Sequence, residues 1–134
     1  MSTQAPPMAT LTVPSQPAYL IVCRQALIGA VADLAITDDQ LDDLKLLLSE
    51  ACSNAIVHGY DNDPDGVIEI EFRTSPYEVE VAVSDNGRGF PGGRLPDQPG
   101  FGLSLLHELS TRHRIDPQRP EGGARVSFAR SFNR

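Results

Sequence analysis

The sequence predicts an α/β fold: a two-layer sandwich with a mixed, mainly antiparallel sheet and helices packed on one of its faces. Three observations predict it. Ile68, Ile70 and Phe72 alternate with Glu69 and Glu71, and Val79, Val81 and Val83 repeat the pattern shortly after, as two half-buried strands of a hairpin do. Upstream, Leu41, Leu44, Leu48, Cys52 and Ala55 recur at helical spacing and mark a helix with one core-facing stripe. The chain as a whole reads strand, helix, helix, strand pair, loop, helix, strand pair, an order that layers helices against a sheet.

Each element has a local reason. Residues 1–8 form a polar, Pro-containing tail, and a single folded domain is expected over 9–134. The run from Ala9 to Val13 alternates weakly, suits an edge strand and stops at Pro14. Ser15 is the expected cap of a helix running to about Leu34, with Tyr19, Val22, Cys23, Ala26, Ala30 and Val31 on its buried side. Thr37, followed by Asp38, Asp39 and Gln40, has capping-box spacing with acid in the first turn. The helix it opens is expected to run to His58 and stop at Gly59. Asp61-Asn62-Asp63-Pro64-Asp65-Gly66 is turn chemistry. Pro76 and its neighbours turn the first hairpin, whose second strand runs from Tyr77 to Asp85. Residues 86–102 are too rich in Gly and Pro for regular structure. A helix near Gly102 carries Leu103, Leu106 and Leu109. A short strand from Arg114 to Asp116 and a last one from Ala124 to Phe132 close the fold.

Composition narrows the function. The chain has 134 residues, 40% of them hydrophobic, enough to bury one core. Its 18 acidic residues against 11 basic ones give a formal charge of −7, which argues against a direct nucleic-acid binder, for that needs a basic stripe. A basic protein partner is compatible with this charge, although most acidic domains are merely well solvated. Cys23 and Cys52 both fall in apolar helical patterns, so buried free thiols and a reducing cytoplasm are expected rather than a disulfide or a metal site. The apolar runs are only a few residues long, so no membrane span or signal peptide is expected.

The chemistry concentrates in three places. Glu50, Asn54 and His58 follow one another at four-residue spacing, and on a helix they span only about 80° of the circumference. A carboxylate, an amide and an imidazole in such a row are what a magnesium-nucleotide site needs: a general base, a neutral oxygen ligand and a further polar group. Taken singly, each has an ordinary explanation: a solvated carboxylate, an amide bonded to nearby backbone, a histidine favouring the helix dipole. Asp85 shares the inward parity of Val79, Val81 and Val83, and a carboxylate on the core side of a strand end is costly unless it is paired. Asn86-Gly87-Arg88-Gly89 follows, and its glycines let a flat ligand approach the backbone. An inward carboxylate there can accept a hydrogen bond from an amino group such as that of adenine, although Asp-Asn-Gly is also a common turn. Gly100-Phe101-Gly102-Leu103 opens the next helix, where backbone N–H groups suit an anion. Between them, Phe90 to Pro99 reads as a mobile lid; Arg88 just before it and Arg94 within it could reach phosphate, although exposed arginines are usually just solvated.

Glu50-x-x-x-Asn54-x-x-x-His58-Gly59-Tyr60, then Asp85-x-Gly87-x-Gly89, then Gly100-x-Gly102-Leu103, resembles the N-box, G1 and G2 motifs of the Bergerat-fold (GHKL) ATPases. Within that superfamily the chain is similar, from about Ala9 to Phe132, to the bacterial anti-sigma-factor serine/threonine kinases. The resemblance implies ATP and Mg²⁺ as cofactors, Glu50 as the general base and Asn54 as the metal ligand. It implies Asp85 on the adenine amino group, Gly87 and Gly89 making room for the base, and Gly100, Gly102 and Leu103 closing over the phosphates. It also implies a Ser or Thr of an anti-anti-sigma protein as substrate, a sigma factor as second partner, and a homodimer. Gly123-Ala124 stands where the family has Gly-Thr, so one hydroxyl is missing. Two other readings stay open: a nucleotide-binding module that sequesters a partner without phosphorylating it, and a stand-alone histidine-kinase-like catalytic domain.

Overall fold

The computed structural model describes residues 6–59, 65–87, 104–117, 119, 120 and 122–132, with the side chains of all but 58, 59 and 104. Five strands, β1 (Ala9–Pro14), β2 (Val67–Ser75), β3 (Glu78–Asp85), β4 (Arg112–Asp116) and β5 (Arg125–Ser131), form one sheet in the order β1-β2-β3-β5-β4. All four pairings are antiparallel, so the expected mainly antiparallel sheet holds, with no parallel pair among the described residues. Chain path explains why. Two helices separate β1 from β2, an even number of traverses that returns the second strand antiparallel. A single helix separates β3 from β4, which makes those two run the same way, but β5 inserts between them and pairs antiparallel with both.

The alternation works as its parity requires. Ile68, Ile70, Phe72, Val79, Val81, Val83, Val126 and Phe128 are buried on one face. Glu71 and Arg125 meet on the other, 2.8 Å apart. Leu44, Leu47 and Leu48 of α2 (Asp38–Asn54) join the strand residues in one core, as do Cys23 and Leu27 of α1 (Leu20–Ala30) and Leu106 of α3 (Ser104–Leu109). The helices therefore cover a single face of the sheet. Among the described residues no helix is long and apolar enough to cross a membrane.

The first helix departs from expectation in two ways. Ser15 does not cap it: the Ser15 N–H donates to the Gly66 carbonyl, prolonging the β1–β2 ladder, and the side chain is buried. The chain instead enters through a 3-10 turn, Pro17–Tyr19, with proline at the position that tolerates its missing N–H. Nor is Val22 on the buried side, for it is 41% exposed, and the stripe runs Cys23, Leu27, Val31. This helix has only two polar side chains, Arg24 and Gln25, so its sequence marks no single apolar face. Cys23 and Cys52 meet between α1 and α2 as buried, unlinked thiols. The hydrogen bond it donates to Cys23, together with burial, holds the Cys52 thiol well above its ordinary value.

The long helix begins as its sequence dictates. The Gln40 N–H donates to Thr37 Oγ1 at 3.1 Å and the Thr37 N–H donates to Gln40 Oε1 at 2.9 Å, closing the capping box. Leu47 and Ala51 are buried beside the expected stripe, so the core face is wider than the spacing alone marks. Its end differs. The α-helix stops at Asn54, and Ala55–Gly59 forms a π-helical turn rather than continuing to His58. Strict four-residue stacking therefore holds for Glu50 and Asn54 but not on to His58. Isolated π turns inside helices occur frequently at functional sites.

Candidate functional site

Glu50 and Asn54 lie one turn apart in the last third of α2, flanked by core residues. Leu47, Leu48, Ala51 and Cys52 are at most 4% exposed, which fixes the rotation of the helix about its axis. That rotation leaves Glu50 half-buried and Asn54 buried at 6% exposure. A buried amide needs hydrogen-bond partners, and Asn54 is engaged. The π turn that follows packs against β3, the strand that ends at Asp85.

Asp85 is 5% exposed on the core side of that strand end, as its parity predicts. The cost of burying a carboxylate there is offset by a local cage. The Gly87 N–H donates to Asp85 Oδ1 at 2.9 Å, and the Ala124 N–H donates to the same oxygen at 3.3 Å. The Asp85 N–H donates in turn to the Ala124 carbonyl at 3.0 Å. Arg119 closes the group, one guanidinium N–H donating to the Asp85 carbonyl at 3.0 Å. Burial pushes the Asp85 carboxyl above its ordinary value, while the two backbone donors and the Arg119 charge pull it back. Among the described residues Oδ2 has no hydrogen-bond partner. One oxygen is thus anchored, and the other is left for a donor that no described residue supplies.

Gly123 makes this approach possible. Its φ is +74°, and a Cβ there would overlap the Asp85 carbonyl and carboxylate. Ala124 contributes through its backbone, so the side-chain hydroxyl missing from Gly123-Ala124 is not what holds Asp85 Oδ1. Arg119 carries no period or motif that would have marked it. Only the closure of the turn between β4 and β5, in which the Arg119 N–H donates to the Gly123 carbonyl at 2.7 Å, brings it to Asp85.

The sequence-predicted residues thus divide into two groups. Glu50, Asn54, Asp85 and Gly87 are described and sit on α2 and at the end of β3. His58 lies on the π turn, with its side chain outside the described residues. Arg88, Gly89, the segment from Phe90 to Pro99 with Arg94, and Gly100, Phe101, Gly102 and Leu103 all lie outside the described residues. The described part offers a positioned carboxylate on a helix, a buried amide one turn on, and a caged acceptor at a strand end. Chemically it suits a ligand that brings N–H donors to Asp85 and a hard cation to the Asn54 amide oxygen, with Glu50 beside it as a proton acceptor.

Comparison with known proteins places the chain in a family. The profile of the histidine kinase-like ATPase domain matches residues 13–129. The chain is 39% identical to the serine-protein kinase RsbW of Bacillus subtilis over 138 aligned positions, spanning 92% of this chain and 84% of that one. It is 32% identical to the anti-sigma F factor of Clostridium botulinum over 121 positions, 82% of this chain and 84% of that one. Among solved structures, the RsbU and RsbW domains of Rv1364c from Mycobacterium tuberculosis superpose with a TM-score of 0.65 at 21% identity. That match covers 96% of this chain and 34% of the other, and it speaks for the fold alone.

Proposed function

As the chain belongs to the family of histidine kinase-like ATPase domains, we propose that it is an ATP-dependent protein serine/threonine kinase that also acts as an anti-sigma factor. The observation that carries this reading is the caged Asp85, whose two backbone donors both go to Oδ1, at the end of a strand packed against the Glu50–Asn54 helix. The relatives named as a serine-protein kinase and as an anti-sigma factor, each matched over most of its length, support it.

The residues present fit a magnesium nucleotide. Asp85 is an acceptor for an exocyclic amino group, and Asn54 brings a neutral oxygen of the kind Mg²⁺ takes alongside several waters. When bound, the nucleotide and its ion supply the transferable phosphoryl group and neutralise its charge. Glu50 takes the proton from a serine or threonine hydroxyl of the substrate, a task that needs a carboxylate held by a rigid element. Gly87 and Gly89 leave room for the base; Arg88, Gly100, Phe101, Gly102 and Leu103 attend the phosphates, with His58 as a further polar group on the π turn. The substrate is an anti-anti-sigma protein, and the second partner is a sigma factor held inactive while bound. The working unit is residues 9–134, acting as a homodimer in the cytoplasm.

Incubating the protein with γ-labelled ATP, Mg²⁺ and an extract of its source cells tests this directly. The expected product is a labelled protein of small mass whose label survives acid and is removed by alkali. An acid-labile label would mark a phosphohistidine and overturn the serine assignment. Intact ATP binding with no transfer at all would favour a sequestering module instead.

A further inference from the structure

The turn between β4 and β5 does more than reverse the chain. Arg119 is half-buried at its start, and its backbone is tied on both sides: its N–H donates to the Gly123 carbonyl at 2.7 Å, and the Gly122 N–H donates to its carbonyl at 3.0 Å. Two consecutive glycines with positive φ, 105° at Gly122 and 74° at Gly123, fold the turn back over the end of β3. Gly123 lies so close to Asp85 that no larger residue fits. The turn therefore reaches Asp85 through three hydrogen bonds: the Ala124 N–H on Oδ1, the Ala124 carbonyl on the Asp85 N–H, and the Arg119 guanidinium on the Asp85 carbonyl.

We infer that Arg119 is a positioning residue for the nucleotide base: it clamps the Asp85 main chain at the strand end and so aims Oδ2 at the exocyclic amino group. The inference rests on the reading of Asp85 as the acceptor for that group. The physical argument is one of leverage. Asp85 is the last residue of β3: Ile68 of β2 pairs with it on one side, but on the β5 side the regular register stops at Ser84 opposite Arg125, so there Asp85 is held only by the turn. A carbonyl pinned by a charged, planar donor holds the Asp85 main chain, and a side chain whose root is held there and whose Oδ1 is held by two N–H groups has its remaining oxygen fixed in direction. The Ala124 and Gly87 N–H groups restrain Oδ1 but leave rotation about that oxygen open; the Arg119 contact on the main chain removes it. The same guanidinium lends positive charge that favours the ionised acceptor. Arg119 touches no reacting atom in this scheme and acts only through Asp85.

The test is the selectivity between ATP and purine riboside triphosphate, which lacks the 6-amino group. Wild-type protein should prefer ATP by about tenfold or more, the worth of one hydrogen bond to a charged acceptor. Arg119→Met keeps the aliphatic stem without donors, and it should lose most of that preference while binding the analogue nearly as wild type does. Arg119→Lys, which keeps one charged donor, should recover part of it. Thermal melts of both variants establish that they fold, and if the methionine variant does not, the lysine variant read at the same ligands decides. A residue that merely stabilised the turn would weaken both nucleotides equally, so equal loss, or a wild-type preference in Arg119→Met, overturns the inference. Asp85→Asn separates the two claims. If that variant loses the preference while Arg119→Met keeps it, Arg119 alone is misassigned; if Asp85→Asn itself keeps the preference, the base reading fails and the inference falls with it.

Discussion

On the proposed reading Asp85 accepts a hydrogen bond from the base, and does so more strongly when ionised, whereas burial opposes ionisation. Burial raises its carboxyl above the ordinary range, and the Gly87 and Ala124 N–H groups with Arg119 recover only part of that. The sign follows. The folded value lies above the unfolded one, so this group's contribution to stability is fully present at low pH and is lost as pH rises through the raised value. On the proposed reading nucleotide binding runs the other way, because it favours the ionised form. Calorimetric ATP affinity should therefore decline on acidification at a higher pH than an ordinary aspartate would give, and Asp85→Asn should bind weakly with that limb gone. An unchanged limb in the variant would assign the titration to another group. This residue is legible in the sequence because strand parity has a period of two; the alternation of Val79, Val81 and Val83 aims Asp85 inward on spacing alone. Arg119 is not legible there, because its contact depends on a turn whose closure has no period.

The elements are legible where a local rule fixes them. The capping box at Thr37 is such a rule, needing only two residues three apart, and both of its hydrogen bonds form. Thr37→Ala removes one of them and should cost about 1 kcal/mol, seen as a fall of a few degrees in the thermal midpoint with nucleotide affinity nearly unchanged. The cap lies at the opposite end of α2 from Glu50 and Asn54, which is why stability and binding should separate. α1 shows where such rules give out. It is apolar almost all round, so its buried face is set by contact with α2 and the sheet rather than by its own pattern, and Val22 ends outside. The π turn at Ala55–Gly59 is equally invisible, since no residue type specifies it. It matters because it ends the strict stacking at Asn54 and packs against β3, the strand that ends at Asp85. Near the end of β5, Arg130 ties the layers together, donating to Asp43 of α2 at 2.9 Å and to the Leu109 carbonyl at 2.7 Å.

At the scale of the molecule, one core serves both stability and the site. Leu44 and Leu48 are fully buried under the sheet, and the helix that carries them also carries Glu50 and Asn54. Leu48→Ala should cost about 2–5 kcal/mol, a large share of a domain's stability, and chemical denaturation would read it as a lowered midpoint. ATP should recover part of that loss by mass action, a recovery that a core defect far from the site would show equally in every variant that still folds. The layered architecture is legible because each layer buries one face at its own period. The site is half legible: its residues follow helix and strand spacing on α2 and β3, whereas the Gly-rich segment over 88–103, which falls outside the described residues, obeys neither period. The central claim is that Glu50 acts on the substrate hydroxyl and takes no part in holding the nucleotide. Comparing Glu50→Gln with wild type, by phosphate transfer to the labelled substrate and by ATP affinity in parallel, tests it most directly. Transfer should fall by about a hundredfold or more while ATP affinity stays within about twofold. Transfer that survives in Glu50→Gln, or that falls only as far as ATP affinity does, would contradict it.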